Sequence, residues 1–178
     1  LIPCGECPPC QKAQYEMCRH YSYLGSRRDG GFAAYVAVPE KSLIALPERV
    51  SFEEAAMFEP MSVAVHAMRK ASPLPEERTV ICGLGTIGLF LLMFLLEAGR
   101  KNIFVIGNKD FQKRMAVQLG LPETSFCDSR TQDAEQWLLE RTEGRGADVF
   151  FECVGKNETL TQAVGMTGPG GRIMLVGN

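Results

Sequence analysis

From Thr79 onward, short apolar runs take turns with longer amphipathic stretches. The runs "TVICGLG", "NIFVIG", "TSFCD", "ADVFFECVG" and "GRIMLVG" have strand length and end in glycine or an acid. Between them, helical stretches cover Thr86 to Ala98, Asp110 to Leu119, Gln132 to Thr142 and Glu158 to Gly165. Strands alternating with helices predict an α/β fold built on a parallel sheet with both faces covered. Five strands of a doubly wound sheet are present, and a sixth is expected downstream. The longest apolar run, Ile87 to Leu96, spans about half of the roughly 20 residues that cross a bilayer, and reads as a buried helix.

The preceding residues follow another pattern. A cysteine-rich loop leads to a glycine turn, "RRDGGF", and two short strands are expected in "AAYVAVP" and "SLIALP". An amphipathic segment then runs from Ser51 to Lys70, and Ser51 followed by Glu54 is a capping-box start for a helix. The Pro-rich joint "ASPLPEE", Ala71 to Glu77, separates the two patterns and sets the expected domain boundary, with 1–72 on one side and 73–178 on the other.

Composition changes this picture little. The chain has 178 residues, 46% of them hydrophobic, enough to bury a core. A formal net charge of −2 offers no basic field for a nucleic-acid backbone or an anionic membrane, so neither is an expected partner. The chain opens without a basic segment followed by an apolar stretch, so a cytoplasmic, reducing setting is expected. It also starts without methionine and stops on "RIMLVGN", so it reads as a piece of a longer protein.

"GLGTIG" follows the first apolar strand and opens the first apolar helix. Its Gly83, Gly85 and Gly88 have the spacing in which the first glycine makes a tight turn, the second admits a pyrophosphate and the third lets helix pack on strand. With Thr86 and Ile87 inside the motif, the helix N-terminus faces the phosphates. Val154, Gly155 and Val176, at the ends of the fourth and fifth strands, complete the expected dinucleotide site. In such sites an Asp or Glu at the end of the second strand takes the ribose hydroxyls of NAD. Here "VIGNKD" puts Gly107 at that place, then Asn108 and Lys109. Without a carboxylate, and with an amide and an ammonium at hand, the site leans towards NADP. NAD stays possible: if the strand runs longer, Asp110 can take the ribose and Lys109 is a surface lysine.

Cys4, Cys7, Cys10 and Cys18 stand as C-x2-C-x2-C-x7-C. Such short loops can converge four thiolates on one tetrahedral Zn²⁺, and a closed shell leaves no place for water, so this zinc is expected to be structural. An iron–sulfur cluster is a rival, but the ferredoxin run has a shorter last gap and a following proline, whereas Arg19 follows Cys18. A redox pair or disulfides is the other alternative. Cys82, Cys127 and Cys153 fall in or at the ends of core strands and read as small buried hydrophobes.

A four-cysteine lobe, a linking helix and a Rossmann domain, in that order, resemble the zinc-containing medium-chain dehydrogenases along the whole chain. The resemblance implies that 1–72 is a segment of a GroES-like catalytic domain and that 73–178 is an incomplete NAD(P)-binding domain. "FEPMSVAVHA" is similar to the polyol-dehydrogenase segment in which a glutamate replaces a cysteine near the catalytic zinc, which makes Glu59 a catalytic residue and zinc ligand, direct or through water. "YLGSRRDGGFAAY" is similar to the loop of the galactitol-1-phosphate 5-dehydrogenases, which implies a polyol or polyol phosphate oxidised at a secondary alcohol. Arg27 and Arg28 become candidates for a substrate phosphate, although loop arginines are more often solvated or paired.

The resemblance also implies homodimers or homotetramers. In that family the other catalytic-zinc ligands, a cysteine and a Gly-His-Glu, lie upstream of Leu1, so this stretch alone is expected to bind nucleotide and not to turn over substrate. Of the two histidines, neither has that context, and His66 reads as a packed core residue. Gln112 stands where NAD-linked polyol enzymes carry a basic residue. A zinc-free quinone reductase is disfavoured by the four-cysteine lobe. A zinc- and nucleotide-binding module without dehydrogenase activity is the alternative from another class.

Overall fold

The first fifty residues leave most of their apolar side chains exposed. The structure, a computed structural model, describes residues 1–177. Residues Leu1–Val50 form one unit in which only Cys7, Cys10 and Cys18 are buried. Its regular structure amounts to a single turn of helix, α1 (Pro8–Gln11), two 3₁₀ turns at Tyr15–Met17 and Glu40–Ser42, and isolated bridges Ile2–Ser22 and Leu24–Arg28. The strands expected in "AAYVAVP" and "SLIALP" do not form; Tyr35 and Ile44 are 93% and 90% exposed. A strand persists only beside a neighbour that satisfies its N–H and C=O groups, and β-forming residues do not supply one by themselves.

The second unit, Ser51–Asn178, begins with helices. Ser51 and Glu54 close the expected capping box: the Glu54 N–H donates to Ser51 Oγ at 3.2 Å and the Ser51 N–H to Glu54 Oε2 at 2.9 Å. The amphipathic segment over 51–70 is interrupted ahead of Pro60, as two helices, α2 (Phe52–Ala56) and α3 (Phe58–Ala71). The break has a cause in sequence, because Pro60 has no N–H and its ring would collide with the carbonyl of Ala56 in a continuous helix.

On α3, Ala64, Ala67 and Ala71 make a narrow buried stripe whose small side chains let the next helix approach. His66 lies off that stripe and is exposed, not packed in the core as its apolar neighbours suggested. Helix α3 packs against the helix Thr86–Glu97 and the strand Thr167–Leu175, so it belongs to the same compact unit as the sheet, Ser51–Asn178.

The expected alternation follows. In chain order come β1 (Thr79–Cys82), α4 (Thr86–Glu97), β2 (Ile103–Gly107), α5 (Asp110–Gln118), β3 (Phe126–Asp128), α6 (Ala134–Arg141), β4 (Ala147–Glu152), α7 (Asn157–Met166) and β5 (Thr167–Leu175). All pairings are parallel, in the order β3-β2-β1-β4-β5. Alternate strand residues feed two cores. Ile81, Val105, Phe126, Val149 and Phe151 pack with α3, α4 and α5, while Val80, Ile106, Cys127 and Phe150 pack with α6 and α7. The order reverses between β1 and β4, which opens a crevice at their carboxyl ends. Among the described residues no helix is long and apolar enough to cross a membrane.

At the other end of the strands, two guanidinium–carboxylate forks tie distant segments. Arg78 holds Asp148 through its main-chain N–H at 2.8 Å, its Nε at 2.7 Å and Nη2. From β5, Arg172 grips Glu77 with both Nη atoms at 2.7 Å and donates through Nε to the carbonyl of Ala71 at 2.6 Å, so it clamps the Pro-rich joint. The Arg172 guanidinium lowers the Glu77 carboxyl below its ordinary value. The clamp therefore stabilises the fold above the unfolded glutamate range, about pH 4.3, and is lost as pH falls through the lowered value. We expect Glu77→Ala to cost about 1–2 kcal/mol in urea unfolding at pH 7, with the difference from the unmodified protein shrinking in acid.

Candidate functional site

Where β1 ends, the backbone turns at Gly83 with φ +93, a left-handed conformation. A Cβ there would stand 2.6 Å from Val154 Cγ2, and a Cβ at Gly88 would run into the carbonyl oxygen of Gly83. Gly85 faces open space and caps α4 without a side-chain acceptor, so the first-turn N–H groups are available to an anion. These are the conditions that a pyrophosphate needs.

The facing wall is built by a residue that the sequence reading passed over. Glu152, 2% exposed at the end of β4, accepts the Val154 N–H at 2.9 Å, the Gly155 N–H at 3.1 Å and the Thr159 hydroxyl at 2.8 Å. Its carbonyl accepts the N–H groups of Val176 and Gly177, each at 2.8 Å. One buried carboxylate thus fixes the turn that lies over Gly83. An acid closing the apolar run "ADVFF" was the available signal, since buried acids are rare unless they are bound.

Between these walls lies a cleft of about 470 Å³. Of the residues singled out from sequence, Gly83, Gly85, Gly107, Asn108, Lys109 and Val154 line it. Thr86, Ile87 and Gly88 form the first turn of α4 without lining it, and Gly155 and Val176 are held by Glu152. Gln112, Ser129, Lys156, Thr159 and Gln162 also line it and were not singled out as binding residues. Two lysines, Lys109 and Lys156, and no acidic residue stand among the described residues of this lining. Asp110, the alternative ribose ligand, is not part of it: Arg130 pairs with Asp110 and, at 2.6 Å, with Asp128, whose carboxyl it holds down at about 2.

In the first unit the four sulfurs of Cys4, Cys7, Cys10 and Cys18 all lie within 4.8 Å of one another. The separations Cys7–Cys10, Cys4–Cys10 and Cys7–Cys18 are 3.5, 3.9 and 3.9 Å. Thiolates at about 2.3 Å from a tetrahedral zinc stand about 3.8 Å apart, whereas a disulfide needs about 2 Å. The donor set therefore fits zinc and not disulfides, and all seven cysteines are free. The Cys4 N–H donates to Cys18 Sγ at 3.3 Å and the Cys7 N–H to Cys4 Sγ at 3.4 Å, which supports sulfur charge. Backbone hydrogen bonding lowers Cys7 to about 6, while burial pushes Cys10 up to about 12. Cys82, Cys127 and Cys153 are pushed up by burial to about 12, 11 and 12, the behaviour of unreactive packed thiols.

Glu59 stands exposed in the first turn of α3. Among the described residues the only converging group of three or more Cys, His, Asp or Glu side chains is the four-cysteine one, so no second ligand set gathers at Glu59. Arg27 is engaged locally, with its guanidinium 4.1 Å from the Tyr21 ring centroid and Nη1 donating to the Tyr21 carbonyl at 2.9 Å, while Arg28 is exposed.

Family models agree with this division of labour. Residues 86–178 match the model described as zinc-binding dehydrogenase, and residues 1–48 match the alcohol dehydrogenase GroES-like domain. L-idonate 5-dehydrogenase of Vitis vinifera is 35% identical over 99% of this chain and 49% of its own length. Galactitol 1-phosphate 5-dehydrogenase of Escherichia coli K12 is 34% identical over 99% of this chain and 51% of its own. The crystal structure of galactitol-1-phosphate dehydrogenase from Escherichia coli superposes with a TM-score of 0.86 at 33% identity, over 99% of this chain and 51% of that one. The chain spans about half the length of the curated relatives it matches.

The Glu152 contacts generate an expectation. Glu152→Ala takes the acceptor from the Val154 and Gly155 N–H groups and leaves the Thr159 hydroxyl only the Lys156 carbonyl at 2.9 Å, and each lost bond to a charged acceptor costs about 1.5–3 kcal/mol if nothing replaces it. Urea unfolding should show a loss of at least about 2 kcal/mol, together with weaker binding of dinucleotide. An unchanged unfolding midpoint would remove Glu152 from its organising role.

Proposed function

The chain belongs to the zinc-binding dehydrogenase family, and on that premise we propose that the protein carrying it transfers hydride between a nicotinamide dinucleotide and the secondary alcohol of a polyol or polyol phosphate. The observation that carries the proposal is the cleft, with an uncapped helix N-terminus, open space at Gly85 and interlocked turns at Gly83 and Val154. Both polyol-phosphate and sugar-acid dehydrogenases stand among the relatives, which supports the substrate class.

NADP is the cofactor that the lining favours. Gly107 withholds a carboxylate from the ribose, Lys109 and Lys156 bring positive charge, and Arg130 pairs with the nearby Asp110 and Asp128 and offsets one of their two negative charges. A 2′-phosphate meets no acidic residue in the lining, and Asn108 and Lys109 supply donors. Gly85 and the first turn of α4 hold the pyrophosphate, and the Val154 turn orients the nicotinamide half.

Cys4, Cys7, Cys10 and Cys18 hold a structural zinc that gathers the loops of residues 4–18. Glu59 is the residue of this chain assigned to a second, catalytic zinc, with the family's cysteine and Gly-His-Glu as partners. Lewis-acid stabilisation of the alkoxide is the chemistry that metal supplies when bound. The protein works in the cytoplasm as a homodimer or homotetramer. The exposed, unaccompanied position of Glu59 favours a second reading for this stretch by itself, that of a zinc- and nucleotide-binding module.

Assay of the intact protein against polyols and polyol phosphates with both cofactors tests the first reading. Turnover with NADP above NAD is expected, and Glu59→Ala should abolish it; binding of zinc and nucleotide without oxidation of any alcohol would establish the module. For the lobe, Cys10→Ser should reduce its zinc from one ion per chain to nearly none in metal analysis, and retention of that zinc would reject the structural site.

A further inference from the structure

Gly107 has an ordinary negative φ, so its backbone conformation suits any residue and does not explain a glycine. Space does. A Cβ at this position would lie 2.7 Å from Cζ and 3.2 Å from Cε2 of Phe126, and 3.1 Å from Gln112 Oε1. Phe126 pairs with Val105 and Asp128 with Gly107 across the β2–β3 ladder, so the ring and the missing side chain share one face of the sheet. Neither neighbour is free to move aside cheaply. Phe126 is 6% exposed within the core beneath α5, and Gln112 is 8% exposed with its Oε1 accepting the Asn108 N–H at 3.3 Å.

We propose that Phe126, backed by Gln112, is the positioning residue that sets cofactor choice at this cleft, because its ring fills the volume from which a carboxylate at 107 would reach the ribose hydroxyls. Phe126 acts through Gly107 and does not touch the nucleotide. The inference rests on reading the cleft as an NADP site and adds to it a cause: the acidic position is closed from below by packing, so a substitution at 107 alone does not convert it. Only a paired change opens the position. Phe126→Leu removes Cζ and Cε2 while keeping an apolar side chain of moderate size.

The test uses the whole chain with Gly107→Ala, Gly107→Asp, Phe126→Leu and the two double variants, and reads two quantities. The first is the urea midpoint: Gly107→Ala should destabilise the protein with Phe126 in place and much less in the Phe126→Leu background. The second is the ratio of dissociation constants for 5′-AMP and 2′,5′-ADP, measured by calorimetry. Gly107→Asp alone should lose affinity for both probes with little change in their ratio. Together with Phe126→Leu it should move the ratio towards 5′-AMP by about tenfold or more, the effect of one charge-assisted hydrogen bond.

If Gly107→Asp alone shifts the ratio as far as the double variant, the inference is overturned. It is overturned equally if the midpoints couple but no variant alters the ratio, since Phe126 is then packing alone. A parent protein that binds both probes equally would refute the NADP reading. In that case the inference stands or falls on whether the double variant alone gains 5′-AMP affinity.

Discussion

Three residues separate the end of β1 from the start of α4, and in that distance the backbone has to leave a buried strand and enter a buried helix. Only a left-handed Gly83 and a bare Gly88 permit it, because each lies against backbone or side chain where a Cβ would go. The same turn presses on Val154, whose loop is pinned by the buried Glu152. The two turns at the topological reversal are therefore interlocked. A change that loosens the β4 turn removes the surface on which the β1 turn rests, and the helix N-terminus loses its aim. Local rigidity of this sort is what lets uncapped N–H groups remain available to a ligand instead of collapsing onto a neighbouring acceptor.

The first unit meets the opposite difficulty. With no apolar side chain buried except cysteines, hydrophobic burial contributes little to offset the chain entropy of fifty residues. Four sulfurs spaced for a tetrahedral ion gather the loops of residues 4–18, and metal affinity there is folding free energy. A cysteine pattern that first suggests reactivity is better understood as a substitute for a core.

The sheet was legible because its strands carry apolar residues on both alternating faces, and the cap at Ser51 because side-chain capping is local in sequence. The break at Met57 was legible too, in Pro60, whose ring a continuous helix cannot accommodate. What sequence could not supply depended on partners far along the chain. "AAYVAVP" looks like a strand only if another strand is assumed beside it, and His66 looks buried only if the apolar stripe is assumed wider than its three alanines. Glu152 and Phe126 were missed for the same reason: their roles are set by a turn and by a neighbouring strand, and local spacing does not announce either.

Electrostatics beside the end of β2 depends on the same neighbours. Asp110 and Asp128 adjoin Lys109 and Ser129 of the cleft lining, and as free carboxylates they would repel an anion bound there. Arg130 grips both, and the depressed Asp128 carboxyl shows that it remains ionised and paired across the physiological range. An Arg so occupied is a poor phosphate ligand itself, since its fork is already filled. The positive charge left for a ligand is then on Lys109 and Lys156, at the lining rather than behind it. Packing at Gly107 and pairing at Arg130 are independent, one steric and one electrostatic: the first leaves no free room for a side chain at 107, and the second ties the Asp110 and Asp128 carboxylates to an arginine outside the lining.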